Sequence, residues 1–121
     1  MQTIDVVMIT KNSEFMLERC IESIYSNVPV ENLIIIDGFS SDKTLSIINK
    51  LNKKYQTIKV FSSNGTRALA RETGIQHVKT DWFMFIDSDI VLSKNWFKKA
   101  LNLGIEESNE KLGELKKLKE K

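Results

Sequence analysis

Strand-length runs of apolar residues alternate strictly with stretches of helical period along this chain. Ile4 to Ile9 comes before a helix predicted from about Ser13 to Ser26, and Leu33 to Ile36 before one from about Ser41 to Lys53. Ile58 to Phe61 leads to a helix from about Thr66 to Val78, and the run Trp82 to Ile86 to a last helix beginning near Ser93. Runs this apolar suit strands buried on both faces, and parallel strands need a helical crossover between them. The alternation therefore predicts an α/β chain, a parallel sheet with helices packed on its faces. Ser13, Ser41 and Ser93 stand just ahead of periodic runs, where a hydroxyl can cap free helix amides. Leu45, Ile48, Leu51 and Tyr55 are expected to form the apolar face of the second helix, and Trp96, Phe97, Ala100 and Leu101 that of the fourth.

With 121 residues, 41% of them hydrophobic, the chain is long enough for one domain that buries about two-thirds of its unfolded surface. From Glu106 to Lys121 the composition shifts to Glu, Lys and scattered Leu. We therefore expect one folded domain over 1–105 and a charged helical or frayed tail over 106–121. A net charge of +2, from 18 basic and 16 acidic residues, leaves no basic stripe with interleaved aromatics, which argues against nucleic acid as a partner. No apolar stretch approaches the ~20 residues that span a bilayer, and the N-terminus lacks a signal-type pattern. Cys20, the single cysteine, falls with Leu17, Ile21 and Ile24 and reads as a small buried hydrophobe. Together these features point to a reducing, cytoplasmic setting, with the cytoplasmic face of a membrane as one version of it.

In a parallel sheet the carboxyl ends of all strands share one edge, and ligands bind in the crevice outside it. Three loops leave strands there: Thr10-Lys11-Asn12, Asp37-Gly38-Phe39-Ser40-Ser41-Asp42, and Asp87-Ser88-Asp89. The third sets two carboxylates one residue apart where a strand emerges, a donor set suited to a hard divalent cation. The second joins a carboxylate, a glycine for the turn and two hydroxyls ahead of a helix. Asp37 there can accept bonds from a base or ribose, or simply hold an ordinary turn. Arg67 and Arg71, four residues apart, give the third helix a cationic face that can meet a phosphate or stay solvated, and Gly74 permits close packing.

Taken in order and spacing, these residues resemble the donor-binding half of the GT-A glycosyltransferases, specifically the large inverting family 2. The resemblance runs through Val6-Val7-Met8-Ile9-Thr10-Lys11-Asn12, Leu17 to Ser23, and Ile35 to Thr44. It continues through Ala70-Arg71-Glu72-Thr73-Gly74-Ile75 and Phe85-Ile86-Asp87-Ser88-Asp89. It implies a Rossmann-like sheet that binds a nucleotide-diphospho-sugar through Thr10, Asp37, Arg71 and Asp87. It further implies Mg²⁺ or Mn²⁺ at Asp87 and Asp89, with Asp89 as the direct ligand. Such a reaction expels a nucleoside diphosphate, and a unit charge pair at 4 Å is worth about 4 kcal/mol at an effective dielectric near 20. Felt mainly in the transition state, that is roughly three decades in rate.

Departures from the family pattern cluster beside the base. Lys11 stands where many members carry an aromatic, Gly38 where they carry a second acid, and Phe39 where a small residue is common. Glu72 replaces a usual Asn. The family also carries an acceptor-binding half after the metal motif, with an acidic general base. Glu106, Glu107 and Glu110 lie in solvated-looking sequence, so no base is assigned to them. The acceptor, saccharide or lipid-linked, is left open, as is a partner chain that supplies this half. A non-catalytic nucleotide-binding module or a truncated remnant is the alternative. Asp87-Ser88-Asp89 also resembles the nucleophile loop of haloacid-dehalogenase-type phosphatases, which normally lies near the N-terminus and needs a later lysine and acidic pair.

Overall fold

In the computed structural model, which describes residues 3–102, alternate residues of two central strands feed two separate hydrophobic layers. On β1 (Ile4–Thr10) and β2 (Val30–Asp37), Val6, Met8, Leu33 and Ile35 point into one layer, and Val7, Ile34 and Ile36 into the other. Such two-sided burial is what a continuous apolar strand requires. With β3 (Ile58–Ser62) and β4 (Phe83–Phe85) they form a four-stranded sheet in the order β3-β2-β1-β4, and every pairing is parallel.

Helices cover both faces, as the alternation predicts. Leu17, Cys20, Ile21 and Ile24 of α1 (Glu14–Asn27), with Ile48 and Leu51 of α2 (Thr44–Tyr55), fill the first layer. Ala70 of α3 (Arg67–Gln76) packs into the second, and Trp96 and Phe97 of α4 (Trp96–Asn102) lie against the first. The chain runs outward from β1 to β2 to β3, then returns through α3 to the other side of β1. The switch point of the topology thus lies between β1 and β4, where such folds open their ligand crevice.

Four expectations about helix starts and faces are corrected. Helix α2 begins at Thr44, not near Ser41, because the Ser41 amide is spent on Asn12 Oδ1 at 2.8 Å. Ser93 does not cap α4, which starts at Trp96; its carbonyl instead accepts the Trp96 amide. Ser13 stands at the N-cap of α1 but makes no side-chain cap bond. In α2 the buried place expected for Leu45 goes to Thr44, and Leu45 is exposed. The boundary near Ile105 and the charged tail lie outside the described residues.

At the opposite edge of the sheet sits a buried carboxylate that sequence reading did not single out. Asp5 interrupts the β1–β2 register, and its oxygens accept the amides of Asn32, Lys79 and Thr80 and the Asn32 side-chain amide. It ties the start of β2 to the segment entering β4. Gly74 sets the depth of α3, since a Cβ there would collide with Val7 Cγ1 on β1. Gly74→Ala is therefore expected to cost about 1–3 kcal/mol in urea denaturation. Gly38→Ala, whose added carbon meets the flexible Lys11 stem at 3.3 Å and the Thr10 carbonyl at an ordinary 3.6 Å, should stay within about 0.5 kcal/mol of the parent.

Candidate functional site

The loops after β1 and β2 are locked to each other before any ligand is considered. Thr10 and Asp37 are register partners at the strand ends, both fully buried, and Thr10 Oγ1 donates to Asp37 Oδ1 at 2.6 Å. Asp37 also accepts the Ser40 hydroxyl and amide at 2.7 and 2.8 Å, which folds the turn back over β2. Asn12, at φ 47°, accepts the Ser41 and Asp42 amides through Oδ1 and donates its own amide to Ser40 Oγ.

The starts of α1 and α2 cap one another. Asp42 accepts the Glu14 amide and both the amide and hydroxyl of Thr44, while Glu14 accepts the Lys43 amide. Desolvation opposes the charge on Asp42, but the hydrogen bonds from Thr44 and Glu14 outweigh it and hold the carboxyl below its ordinary 3.8. A carboxyl lowered on folding stabilises the fold above that value. This contribution is lost as the pH falls from about 3.8 through the lower folded value.

Between this locked pair of loops and the end of β4 opens a cleft of about 410 Å³. The α1 start supplies Asn12, Ser13, Phe15 and Met16, α3 supplies Arg67, and the loop after β4 supplies Asp87, Ser88 and Asp89. It lies at the topological switch point. Ser88 Oγ donates to Ser13 Oγ at 3.2 Å, which ties the acidic loop to α1. Asp87 and Asp89 are exposed, and no cation of the described residues pairs with either.

Of the residues singled out in the sequence, Asp87 and Asp89 come together in the cleft. Thr10 and Asp37 lie buried behind it. Arg71 is exposed with its guanidinium 5.6 Å from the Phe85 ring, a cation–π contact beside the same strand end, while Arg67 reaches the cleft. Phe15 was not read as a site residue, although it stands out of phase with Leu17, Ile21 and Ile24 and is 92% exposed. Phe39 is 62% exposed and held at φ 56°, a left-handed conformation uncommon for a bulky side chain.

Among the described residues no third Asp, Glu, His or Cys completes a metal-binding cluster. Two carboxylates at an open cleft can offer oxygen ligands to a hard divalent cation such as Mg²⁺ or Mn²⁺, whose remaining positions would be filled from outside the protein. The residues present fit that group.

A sequence profile of glycosyl transferase family 2 matches residues 5–109. The chain belongs to glycosyl transferase family 2. An uncharacterized glycosyltransferase of Haemophilus influenzae is 32% identical over 108 residues, covering 84% of this chain and 42% of that protein. The poly(ribitol-phosphate) beta-glucosyltransferase of Bacillus spizizenii is 29% identical over 120 residues, covering 93% of this chain and 19% of that protein. This family 2 chain thus spans less than half the length of either relative. Two solved structures share its fold. One is S. aureus TarS 1–349 in complex with UDP, with a TM-score of 0.70 and 22% identity over 87% of this chain and 32% of that one. The other is the mannosyltransferase PcManGT of Pyrobaculum calidifontis in complex with GDP-Man and Mn2+, with a TM-score of 0.69 and 18% identity over 80% and 29%.

Beneath the acidic loop lies Cys20, fully buried as the helical pattern predicts, with Sγ donating to the Asp87 carbonyl at 3.4 Å. Burial, with smaller contributions from the nearby Asp89 and Asp87 charges, pushes the thiol up from 9.0 to about 12; a backbone bond from Ile90 opposes the rise. A folded thiol that holds its proton more tightly favours the native state below pH 9.0, and that stabilisation declines as pH rises from 9 toward 12. Native protein at pH 8 is accordingly expected to resist a thiol-specific maleimide, and urea-unfolded protein to label at once. Rapid native labelling, followed by mass spectrometry, would contradict this burial.

Proposed function

We propose that this chain is the donor-binding part of a glycosyltransferase that transfers a sugar from a nucleotide-diphospho-sugar to an acceptor hydroxyl. The observation that carries the reading is the cleft at the β1–β4 switch point, where Asp87 and Asp89 meet Arg67 and the start of α1 in a family 2 chain. Relatives of known name transfer sugars, and fold neighbours hold UDP or GDP-Man with Mn2+.

In this reading Asp87 and Asp89 hold Mg²⁺ or Mn²⁺, which would neutralise charge developing on the departing diphosphate. Arg67 contributes a second, fixed positive charge on the far wall. Arg71, steadied over Phe85, faces the donor from the next turn of α3. Thr10 and Asp37 act at the nucleoside end; their mutual hydrogen bond fixes the loop on which Phe39 is held out. The exposed rings of Phe39 and Phe15 offer flat faces for the base and the sugar.

The acceptor hydroxyl must lose a proton in the transfer. We assign the base that takes it to sequence that the longer relatives carry outside the matched region, on this polypeptide or on a partner chain. No helix among the described residues is long and apolar enough to cross a membrane. A free buried thiol at Cys20 agrees with a reducing compartment, and we place the protein in the cytoplasm, where a lipid-linked acceptor would be met at the membrane face.

Calorimetric titration with UDP and GDP, with and without Mn²⁺, tests the reading. One nucleotide is expected to bind with metal and to lose that dependence in Asp89→Ala. Arg67→Ala should weaken the diphosphate by about tenfold, the scale of a charge-assisted hydrogen bond, with little change for the nucleoside. Failure of both nucleotides to bind at any Mn²⁺ concentration would refute the donor site.

A further inference from the structure

Residues 86–95, from the end of β4 to α4, belong to no strand or helix. Their backbone polar groups must find partners elsewhere, and three of them find α1. Cys20 Sγ donates to the Asp87 carbonyl, Ser23 Oγ accepts the Leu92 amide at 3.0 Å, and Asn27 Oδ1 accepts the Asn95 amide at 2.8 Å. Steps of three and four residues put Cys20, Ser23 and Asn27 on one face of α1. Met16, four residues before Cys20, continues that face into the cleft. One helix therefore carries both a wall of the site and the anchors of its acidic loop.

The anchors are themselves held. Ser23 Oγ donates back to the Cys20 carbonyl at 2.7 Å, and Asn27 Nδ2 donates to the Ser23 carbonyl at 2.8 Å. Ser23 and Asn27 thus each spend a donor on α1, which fixes the rotamer and turns the acceptor toward the segment. Two features of the segment match. Leu92 is buried in the layer beneath α1, and Asn95 takes the left-handed conformation, φ 60°, where its amide meets Asn27. A rigid helix rather than a free loop then sets the direction in which Asp87 and Asp89 leave the sheet.

We infer that Cys20, Ser23 and Asn27 are positioning residues: α1 pins the 87–95 segment at three points so that the Asp87 and Asp89 carboxylates face the cleft. The inference rests on the reading of those carboxylates as the metal-binding pair of the donor site. None of the three side chains needs to touch donor or metal. Their effect passes through the backbone of the acidic loop, as supporting groups behind metal ligands commonly act.

Two measurements on the full chain test it. Ser23→Ala and Asn27→Leu remove an acceptor each, and Ser23→Thr keeps the hydroxyl. In ligand-free hydrogen exchange, Ser23→Ala should speed the amides of Ile90 and Leu92, and Asn27→Leu that of Asn95, by about tenfold while Ile34 to Ile36 stay unchanged. Mn²⁺ titration in the presence of UDP or GDP, at a temperature where every variant is folded, should then show affinity weakened by roughly tenfold or more. Metal-free nucleotide affinity should be unaltered, and Ser23→Thr should restore both readouts. Exchange that rises equally across the sheet, or a loosened segment with unchanged Mn²⁺ affinity, would overturn the positioning role. A parent chain with no Mn²⁺-dependent binding would instead overturn the donor-site reading, and the exchange pattern would decide the anchoring by itself.

Discussion

The hydrogen bond from Thr10 to Asp37 is the constraint on which the site side of the fold depends. It joins the last residues of two paired strands in a place closed to water, where an unpartnered carboxylate would be costly. With the Ser40 amide and hydroxyl on the same carboxylate, the turn after β2 has one place to go, against the loop after β1. Asn12 then meets Ser41 and Asp42, and the starts of α1 and α2 are brought close enough to exchange caps through Asp42 and Glu14. One buried polar contact thus propagates into the placement of two helices. The wall of the cleft that Asn12 and Ser13 form follows from it.

Against that fixed wall the acidic loop arrives from β4, on the other side of β1. The topology makes the meeting unavoidable: the chain has to reverse its direction across the sheet once, and it does so between β1 and β4. What varies is the charge that the meeting creates. Asp87 and Asp89 lie exposed one residue apart, without a cation of the described residues to neutralise either, while Arg67 occupies the same cleft. A divalent ion held by the two carboxylates would give that negative charge a partner and present a cation to an entering diphosphate, with Arg67 as a second one, which is the physical content of the donor-site proposal.

Much of this was legible in the sequence because hydrophobic periodicity carries it. The runs at Val6 to Ile9 and Leu33 to Ile36 can be buried on both faces only in a covered parallel sheet, and the carboxyl edge then follows for the polar loops. Family resemblance added the grouping of those loops, and the match over residues 5–109 agrees with it. The helix starts were misread because a serine ahead of a periodic run has several possible partners. Ser40 turns back to Asp37 and Ser41 is drawn to Asn12, which is distant in sequence, and Thr44 and Asp42 take the role assigned to Ser41. Asp5 was invisible for the same reason: its donors come from residues 32, 79 and 80. The polar stripe Cys20, Ser23, Asn27 does have a local signal, helical spacing, but it lies along an apolar face where small polar residues pass for filler.

The most direct test of the account is a crystal structure of this chain with UDP or GDP and Mn²⁺, in which the metal is located by its anomalous scattering. The account requires a single Mn²⁺ peak at the Asp87–Asp89 loop, coordinated by Asp89 and by oxygens of the diphosphate, with the base against the loop that Asp37 holds. A nucleotide bound away from the β1–β4 edge, or an Mn²⁺ peak that contacts neither carboxylate, would contradict it.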